Sequence, residues 1–245
     1  MKRFCVLILV FALLLPALAC ASASPQPVYE HPGWETAEDA VQNYLEGLKN
    51  GDVSQMLDSF SIETYIDRFD LTAYFERFKA ILPGTSREVK LYSTNPFFRQ
   101  LNIEARRGEI MRMITMQVMS FEWPEMDHTK SIPQGQAYDA TIQAMLAVHV
   151  PTLSDLSFEA FLDPAALSDV YESPANRGNH EKQLALLGTE EIKSVAARFT
   201  AGGGTYLFCC DAARYGDKWY ISSFGGNIGA LLGVAALQAG IARVE

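Results

Sequence analysis

Residues 190–224 read EEIKSVAARFTAGGGTYLFCCDAARYGDKWYISSF, and their pattern decides the fold. Val195, Ala197 and Phe199 fall at every second position, which is the period of a β-strand with one buried face. A Gly-Gly-Gly run and a Gly-Asp pair, both typical of tight turns, divide the segment into three β-rich stretches. These stretches are residues 190–200, 206–215 and 219–224. The segment therefore predicts an antiparallel β-meander.

Residues 36–60 predict two helices in succession. Thr36 is a suitable N-cap, and Glu38 and Asp39 place carboxylates in the first turn, where the helix dipole favours them. Asn50-Gly51 ends the first helix, and Asp52 caps the second. The apolar stripes consist of Ala37, Val41, Tyr44, Leu45 and Leu48 in the first helix and Val53, Met56, Leu57 and Phe60 in the second. Each helix is therefore expected to pack one face on the core.

Residues 62–150 predict a largely helical elaboration. An amphipathic helix extends from Ile62 to Leu82 and stops at Pro83-Gly84. A longer helix, within residues 92–122, begins near Asn95-Pro96. Its buried side is expected to hold Phe97, Leu101, Met111, Ile114, Val118 and Phe121.

The order of these elements predicts the fold class. Residues 138–148 fit a helix or a strand equally, whereas residues 156–162 alternate as a strand does. Helices first and hairpins last indicate an α+β fold, in which N-terminal helices pack on a curved antiparallel sheet. We predict one domain over residues 36–224, with the helical elaboration at 62–150 and an apolar Gly-rich tail at 225–245.

The first residues have the three parts of a secretory signal peptide. Lys2 and Arg3 are positive, Phe4–Leu15 is a continuous apolar run, and small residues follow. The run is too short to span a bilayer, which takes about 20 apolar residues. Residues 1–19 are therefore predicted to be a signal peptide, and residues 20–35, rich in Ser, Ala and Pro near their start, a flexible linker.

Cys20 stands between the signal peptide and the linker, where a side chain has no core to pack into. Small residues before a cysteine resemble the cleavage box of bacterial lipoproteins, in which that cysteine carries the lipid. Ala17 and Leu18 depart from the box, which usually has Leu at the first position and a small residue at the second. We predict lipidation of Cys20 and a domain at the outer face of the cell membrane. The alternative is ordinary cleavage after Ala19 or Ala23, which gives a free secreted protein.

The charge and the cysteine content limit the classes of protein to which the chain can belong. The chain has 245 residues, with 20 Lys and Arg against 29 Asp and Glu, and a formal net charge of −9. An acidic chain without a basic run is a poor match for phosphate backbones, so nucleic-acid binding is not expected. Adjacent residues of a strand point to opposite faces, so Cys209 and Cys210 are expected to be two separately packed thiols.

Two segments together resemble the nuclear transport factor 2-like superfamily. Residues 36–52, TAEDAVQNYLEGLKNGD, resemble the start of such domains, and residues 215–221, YGDKWYI, resemble their closing hairpin. The resemblance covers residues 36–60 and 187–224, and it implies a cone of helices against a bent sheet. The superfamily includes ketosteroid isomerase, polyketide cyclases and many noncatalytic secreted domains, so it does not fix a function. The whole chain also resembles lipoproteins of gut Firmicutes.

An isomerase or cyclase of this superfamily needs a general base in an apolar pocket. Asp211 lies in the middle of a predicted strand and could supply the base, but a carboxylate pointing outward into solvent is commoner and is what we expect. Tyr44 and Tyr65 could be pocket hydroxyls, although aromatic residues on an apolar helical stripe are typical of the core. No catalytic residue is therefore predicted.

Two patterns that suggest metals have ordinary explanations. His128 lies in a predicted loop with three acidic residues but without the ligand spacing of a metal site, so a solvated loop is expected. The acidic residues are Glu122, Glu125 and Asp127. Four methionines of the long helix are spaced around it, as core-filling residues are. They are Met111, Met113, Met116 and Met119. No metal site is predicted.

Two further patterns suggest carboxylate or phosphate chemistry. Glu190 and Glu191 are adjacent and diverge in direction, so they are not expected to act as a catalytic pair. The stretch Gly225–Gly229 follows a strand, as phosphate-binding loops do, but it lacks the Gly-x-Gly-x-x-Gly order. No cofactor site is predicted.

The tail is apolar and rich in glycine. Residues 225–242 carry no charge, and Gly225, Gly229 and Gly233 recur at four-residue spacing, which lets helices approach closely in membranes. Three hypotheses apply: a tail docked on the domain's own core, a partner-binding helix, or a membrane span. A span takes about 20 predominantly apolar residues, and Asn227 interrupts this one, so we expect the docked tail.

The sequence as a whole predicts an extracytoplasmic, noncatalytic domain that binds a protein, a component of the cell envelope or a small ligand. The alternative is a small-molecule enzyme of the isomerase, cyclase or hydrolase type that uses a cone-shaped pocket. A concave apolar pocket with an inward acid or base would favour the enzyme, and a filled core would favour the binding domain.

Overall fold

The computed structural model describes residues 30–78, 95–122, 153–234 and 239–244, and five further positions between 135 and 143. The helices are α1 (Ala37–Asn50), α2 (Val53–Leu57), α3 (Glu63–Arg68), α4 (Leu71–Phe78), α5 (Pro96–Glu122), α6 (Pro164–Leu167), α7 (Pro174–Leu187) and α8 (Gly226–Leu232). The strands are β1 (Ser157–Leu162), β2 (Glu191–Ala201), β3 (Gly204–Tyr215), β4 (Lys218–Phe224) and β5 (Ile241–Arg243).

The central strand of the antiparallel sheet is β3. Along one edge it pairs with the whole of β2, and β1 continues the sheet beyond β2. The other edge of β3 is shared, because β4 pairs with residues 210–215 and β5 pairs with residues 206–208. The predicted meander is present, and the short strand of the tail completes the edge that β4 leaves half open.

The caps of the first two helices are those that the sequence predicts. Thr36 Oγ1 accepts the N–H of Asp39 at 3.0 Å, and Asp52 Oδ1 accepts the N–H of Gln55 at 3.0 Å. Gly51 ends α1 in the left-handed region, at φ 65°, which glycine adopts without the steric cost borne by other residues.

The helices α1 and α5 contribute to the core on one face of the sheet, which we call the front face. At its centre the ring of Tyr44 lies 5.2 Å from that of Phe208 and 5.6 Å from that of Phe60. Alternate residues of β2 and β3 supply the sheet side of this core, namely Val195, Ala197, Phe199, Phe208, Cys210 and Ala212. The predicted α+β fold, with helices packed on a curved antiparallel sheet, is confirmed.

One predicted helix is divided in two. Residues 62–82 were expected to form a single helix, whereas the chain forms α3 and α4 with a break before Leu71. The cause is Asp70, whose Oδ1 caps α4 by accepting the N–H of Ala73 at 3.0 Å and whose own N–H donates to Leu186 O at 3.0 Å. The end of the predicted helix lies outside the described residues.

The long helix α5 begins at Pro96, as predicted, and its buried side agrees with the prediction in part. Ile114 and Phe121 are buried, and Met111 and Val118 pack partly buried against the core. Phe97 is 66% exposed and Leu101 is 42% exposed. The buried residues of α5 are Asn102, Ile103, Arg106, Ile110, Ile114, Gln117 and Phe121. These seven positions lie within about 120° of the helix circumference, so α5 buries a single face, and three of the residues on that face are polar.

Residues just before α1, assigned above to the linker, contact the folded domain. Glu30 Oε2 accepts the N–H groups of Ile62 and Thr64 at 3.0 Å and 2.7 Å, at the start of α3. The backbone of Trp34 forms two hydrogen bonds with that of Trp219, of 3.1 Å and 2.8 Å. Trp34 thereby covers part of the outer edge of β4, which would otherwise be an unpaired sheet edge.

The C-terminal tail is docked on the sheet. On the back face, opposite α1, a second apolar cluster joins Leu207 and Cys209 of β3 to Ile228 and Val234 of the tail. The backbone of Cys209 accepts the N–H of Gly225 at 2.8 Å and donates to the oxygen of Gly240 at 2.7 Å. The described residues contain no helix that is both long and apolar enough to cross a membrane.

The close docking of the tail predicts a difference between two glycine substitutions. Gly233 and Gly240 have nearly the same positive φ, 73° and 74°, so alanine at either costs about 1 kcal/mol of backbone strain. A Cβ at Gly233 meets no atom within 4 Å, whereas at Gly240 it would lie 2.3 Å from the oxygen of Cys209. Gly240→Ala should therefore lower the free energy of unfolding by about 3 kcal/mol or more in a urea titration. Equal losses for the two variants would contradict the docked tail.

Candidate functional site

The space between α1 and the sheet, where a cone-shaped pocket would lie, is filled. Tyr44 is fully buried, and its hydroxyl donates to Gln117 Oε1 of α5. Burial raises the pKa of Tyr44 well above its usual value, so the hydroxyl stays protonated. Tyr44 is therefore a core residue, as its position on the apolar stripe indicates.

Asp211 is buried rather than exposed to solvent, so the expectation of an outward carboxylate is wrong. It lies on the back face, where Ser194 Oγ donates to its Oδ1 at 2.7 Å and the N–H of Asn227 lies 3.0 Å from both oxygens. Burial raises the pKa of Asp211, and these hydrogen bonds and the nearby His180 oppose that rise. The carboxylate ties β3 to β2 and to the start of α8, away from the front face.

The same contact explains the glycines that resemble a phosphate loop. The N–H of Asn227, in the first turn of α8, is bonded to the carboxylate of Asp211. A Cβ on Gly226 would lie 2.5 Å from Asp211 Oδ1, so a glycine is required for this close approach. The chain's own carboxylate holds the position that a phosphate would take.

The other residues considered as catalytic or metal-binding candidates have structural contacts, where they fall among the described residues. Glu190 accepts the N–H of Gly216 in the β3–β4 turn at 3.0 Å, and Glu191 pairs across the β2–β3 ladder with Arg214 at 3.1 Å, so both have structural partners. Three of the four methionines, Met111, Met113 and Met116, are partly buried against the core. The described residues contain no group of three or more His, Cys, Asp or Glu that could hold a metal ion. His128, Glu125 and Asp127 lie outside them.

Both thiols near the middle of β3 are buried and free. Cys210 lies in the front core and Cys209 in the back cluster, on opposite faces of the sheet as predicted. Burial raises the pKa of Cys209 to about 12 and that of Cys210 well above its usual value. Thiols in this state are poor nucleophiles, since the thiolate is the reactive form.

A polar cavity of about 250 Å³ lies between α3, α4, α5, α7 and the end of β4, and we call it the Arg106 pocket. The guanidinium of Arg106 donates from Nη2 to the backbone oxygen of Ser222 at 2.7 Å and from Nη1 to Glu109 Oε2 at 3.2 Å. It also lies 4.3 Å from the centre of the Tyr65 ring. Arg106 is 8% exposed, whereas the side chain of Glu109 is 48% exposed, so the charge is buried and its carboxylate partner lies at the rim.

Asn102 lines the same pocket, one helical turn before Arg106. It is 2% exposed, and neither its Oδ1 nor its Nδ2 has a hydrogen-bond partner among the described residues. The Nε–H of Arg106 has none there either. Buried polar atoms are almost always hydrogen-bonded in folded proteins, so three without partners at one cavity require an explanation.

The opposite wall is aromatic, and a salt bridge holds it in place. Tyr65, Phe69 and Tyr74 of the α3–α4 region line the pocket, so Tyr65 faces a cavity as well as the core. Arg99 of α5 donates two hydrogen bonds of 2.7 Å to the two carboxylate oxygens of Asp67 in α3. This bidentate contact, which raises the pKa of Arg99, joins α3, which carries Tyr65, to α5, which carries Arg106.

A second cavity, of about 400 Å³, adjoins the first and shares Arg77, Gln183 and Ser223 with it. Its far end is formed by His180 and Asn227, where Asn227 Nδ2 lies 2.6 Å from His180 Nε2. The two cavities together form a polar groove along the side of α7.

Neither Asn102 nor Arg106 stands out as a site residue in the sequence. Polar residues on a long surface helix are ordinarily solvated, and α5 has many. The usable signal was their spacing: Asn102, Arg106 and Glu109 follow one another at four and three residues, so they share one helix face. The helices that enclose this face come from distant parts of the chain, and that enclosure is not visible in the sequence.

Comparison with known proteins adds a distant likeness. No family model matches the chain, and no curated protein matches it. A similar solved structure is the crystal structure of a cystatin-like protein from Ruminococcus gnavus ATCC 29149, with a TM-score of 0.48 and 14% sequence identity. The match covers 85% of the present chain and 44% of that protein, so the chain spans less than half the length of its structural neighbour.

Proposed function

We propose that this chain is an extracytoplasmic, lipid-anchored and noncatalytic domain that binds a small ligand in the Arg106 pocket. The observation that carries the proposal is the group of three buried polar atoms that have no partner among the described residues: Asn102 Oδ1, Asn102 Nδ2 and Arg106 Nε. An unmade hydrogen bond of this kind costs about 1–3 kcal/mol. Polar groups kept beside a cavity at such a cost are more typical of a binding site than of a residue that stabilises the fold.

The chemistry of the pocket supports binding rather than catalysis. A guanidinium stays protonated in proteins, and an amide side chain does not titrate near neutral pH, so neither Arg106 nor Asn102 can move a proton. Glu109 is ion-paired with Arg106. The buried carboxylate of Asp211 is held by Ser194 and Asn227. Arg106 and Asn102 can recognise and orient a molecule, whereas an isomerase or cyclase needs a poised base.

The proposed anchor would keep the domain close to the membrane. Cys20 precedes the first described residue, Glu30, by ten positions, and a fully extended chain of ten residues reaches about 35 Å. A lipid at Cys20 would therefore hold the pocket near the outer face of the cell membrane. Binding there suits capture of a ligand from the surroundings of the cell, or its transfer to a membrane partner.

Replacement of Asn102 by leucine tests whether the pocket is built for binding. Because the amide of Asn102 has no described partner, Asn102→Leu should leave the urea midpoint unchanged or raise it, since it removes unpaired polar atoms. The matched control is Asn43→Leu, because Asn43 Nδ2 donates to Gln55 O at 2.8 Å and to Ser59 Oγ at 2.9 Å. That variant should lose about 1–3 kcal/mol. A comparable loss for Asn102→Leu would make Asn102 a structural residue and remove the basis of the proposal.

Metabolic labelling tests the anchor. A fatty-acid analogue fed to cells that make the protein should label the wild type, and Cys20→Ala should abolish the label, because Cys20 is the proposed site of lipidation. Cys5→Ala is the control, since Cys5 lies within the predicted signal peptide and should leave with it. Equal labelling of the wild type and Cys20→Ala would contradict lipid anchoring and favour a secreted protein.

A further inference from the structure

The chain enters the folded domain through residues 30–34, which we call the strap. Glu30 Oε2 accepts the N–H groups of Ile62 and Thr64 at 3.0 Å and 2.7 Å, where α3 begins. The other oxygen of Glu30, Oε1, is buried, so the carboxylate is inserted into the domain. The N-cap residue of α3, Ile62, forms no side-chain cap of its own. Glu30 therefore caps α3 from 32 positions earlier in the chain.

The strap fits closely against β4. Gly33 has a positive φ of 91°, and a Cβ there would lie 2.5 Å from Lys218 Cβ and 2.7 Å from a ring carbon of Tyr220. The hydroxyl of Tyr220 donates to the backbone oxygen of His31 at 3.3 Å. The ring of His31 in turn stacks on that of Trp34, with 4.6 Å between the ring centres. The strap is therefore a packed part of the domain, with no room for a side chain at residue 33.

The helix α3 connects the strap to the Arg106 pocket. Tyr65, the residue after Thr64, lines the pocket, and its ring centre lies 4.3 Å from the guanidinium carbon of Arg106. Asp67 is the bidentate partner of Arg99 in α5. Because α3 has six residues, it forms fewer than two turns, and a helix this short depends on its contacts for stability. Loss of the cap in its first turn therefore affects Tyr65.

The strap is also the part of the described chain that lies nearest the proposed anchor. Glu30 is the first described residue and follows Cys20 by ten positions. Tension on the anchored linker therefore reaches Glu30 before it reaches any other described residue. Two states follow: a docked strap with α3 capped, and a released strap that leaves the N–H groups of Ile62 and Thr64 to water.

We propose that the strap regulates the Arg106 pocket. While the strap is docked, Glu30 caps α3 and holds Tyr65 beside Arg106. When the anchored linker is drawn away from the domain, Glu30 leaves α3, and the pocket wall that carries Tyr65 loosens. This inference rests on the function proposed above, for both the pocket and the anchor, and it names the regulation of that site.

Glu30→Gln tests the strap in the full-length protein in detergent by nuclear magnetic resonance. Glutamine keeps the shape of the side chain but removes its charge, and hydrogen bonds to a charged acceptor are about twice as strong as neutral ones. The amide protons of Ile62 and Thr64 should therefore exchange with solvent at least about tenfold faster. The Nε–H signal of Arg106 should shift, because the Tyr65 ring beside the guanidinium changes the local magnetic field.

A second variant and a control separate this effect from a general loss of stability. Gly33→Ala loosens the strap while keeping Glu30, because its Cβ would collide with β4, and it should produce the same two changes. Thr36→Ala is the matched control, since Thr36 Oγ1 also caps a helix by accepting the N–H of Asp39. That helix is α1, which does not line the pocket, so the Arg106 signal should stay in place.

Two results would overturn the inference. Unchanged exchange at Ile62 and Thr64 in either strap variant would show that the strap does not hold α3. Faster exchange with an unmoved Arg106 signal would make Glu30 a local cap without influence on the pocket. The test on Gly33→Ala stands if Glu30→Gln fails to fold.

The measurement needs no ligand, so its failure differs from failure of the proposed function. If the Arg106 signal stays in place while Asn102→Leu is as stable as the wild type, the strap does not regulate the pocket and the binding function stands. If the signal moves while Asn102→Leu unfolds as readily as Asn43→Leu, the binding function is wrong, and the claim that the strap regulates binding is wrong with it. Metabolic labelling tests the anchor separately.

Discussion

One buried amide, the side chain of Gln117, joins three distant parts of the chain. Its Oε1 accepts the hydroxyl of Tyr44 in α1, and its Nε2 donates to the backbone oxygen of Ala239 in the tail. Ala239 has a positive φ of 50°, which costs a residue other than glycine about 1–2 kcal/mol. The hydrogen bond from Gln117 holds the tail in this turn, just before the strand that completes the edge of β3. The first helix, the long helix and the tail are therefore mutually dependent.

The hydrogen bond between Tyr44 and Gln117 affects which part of the molecule has room for a ligand. Because Tyr44 is held by Gln117, its ring fills the centre of the front face together with Phe60, Phe208 and Phe224. The helix α5 that carries Gln117 toward the core carries Asn102 and Arg106 on an earlier stretch, where α3, α4 and α7 enclose them. The helix α5 thus carries the buried hydrogen bonds of Gln117 near its C-terminal end and lines the Arg106 pocket near its N-terminal end.

Local signals in the sequence predicted most of the elements but not their enclosure. Thr36, Asp52 and the glycine turns act through neighbouring residues, so the caps and hairpins follow from the sequence. Asp211 was placed wrongly, because α8, which covers it, belongs to a tail whose docking involves long-range contacts. Asn102 and Arg106 appeared to be ordinary surface residues of α5, since nothing local indicates that α7 and the end of β4 bury them. Periodicity and capping depend on neighbouring residues, so they do not predict which side chains are buried by elements distant in sequence.

A double-mutant cycle between α1 and α5 tests whether Tyr44 and Gln117 depend on each other. Tyr44→Phe and Gln117→Leu should each destabilise the protein in urea, because each leaves a buried hydrogen-bonding group without its partner. Once Gln117 is replaced, the Tyr44 hydroxyl has lost the partner described here, so removing it should cost little more. We expect a coupling energy of about 1–3 kcal/mol between the two sites. Losses that add to within about 0.5 kcal/mol would show that the two side chains act independently, and would contradict the central role of Gln117.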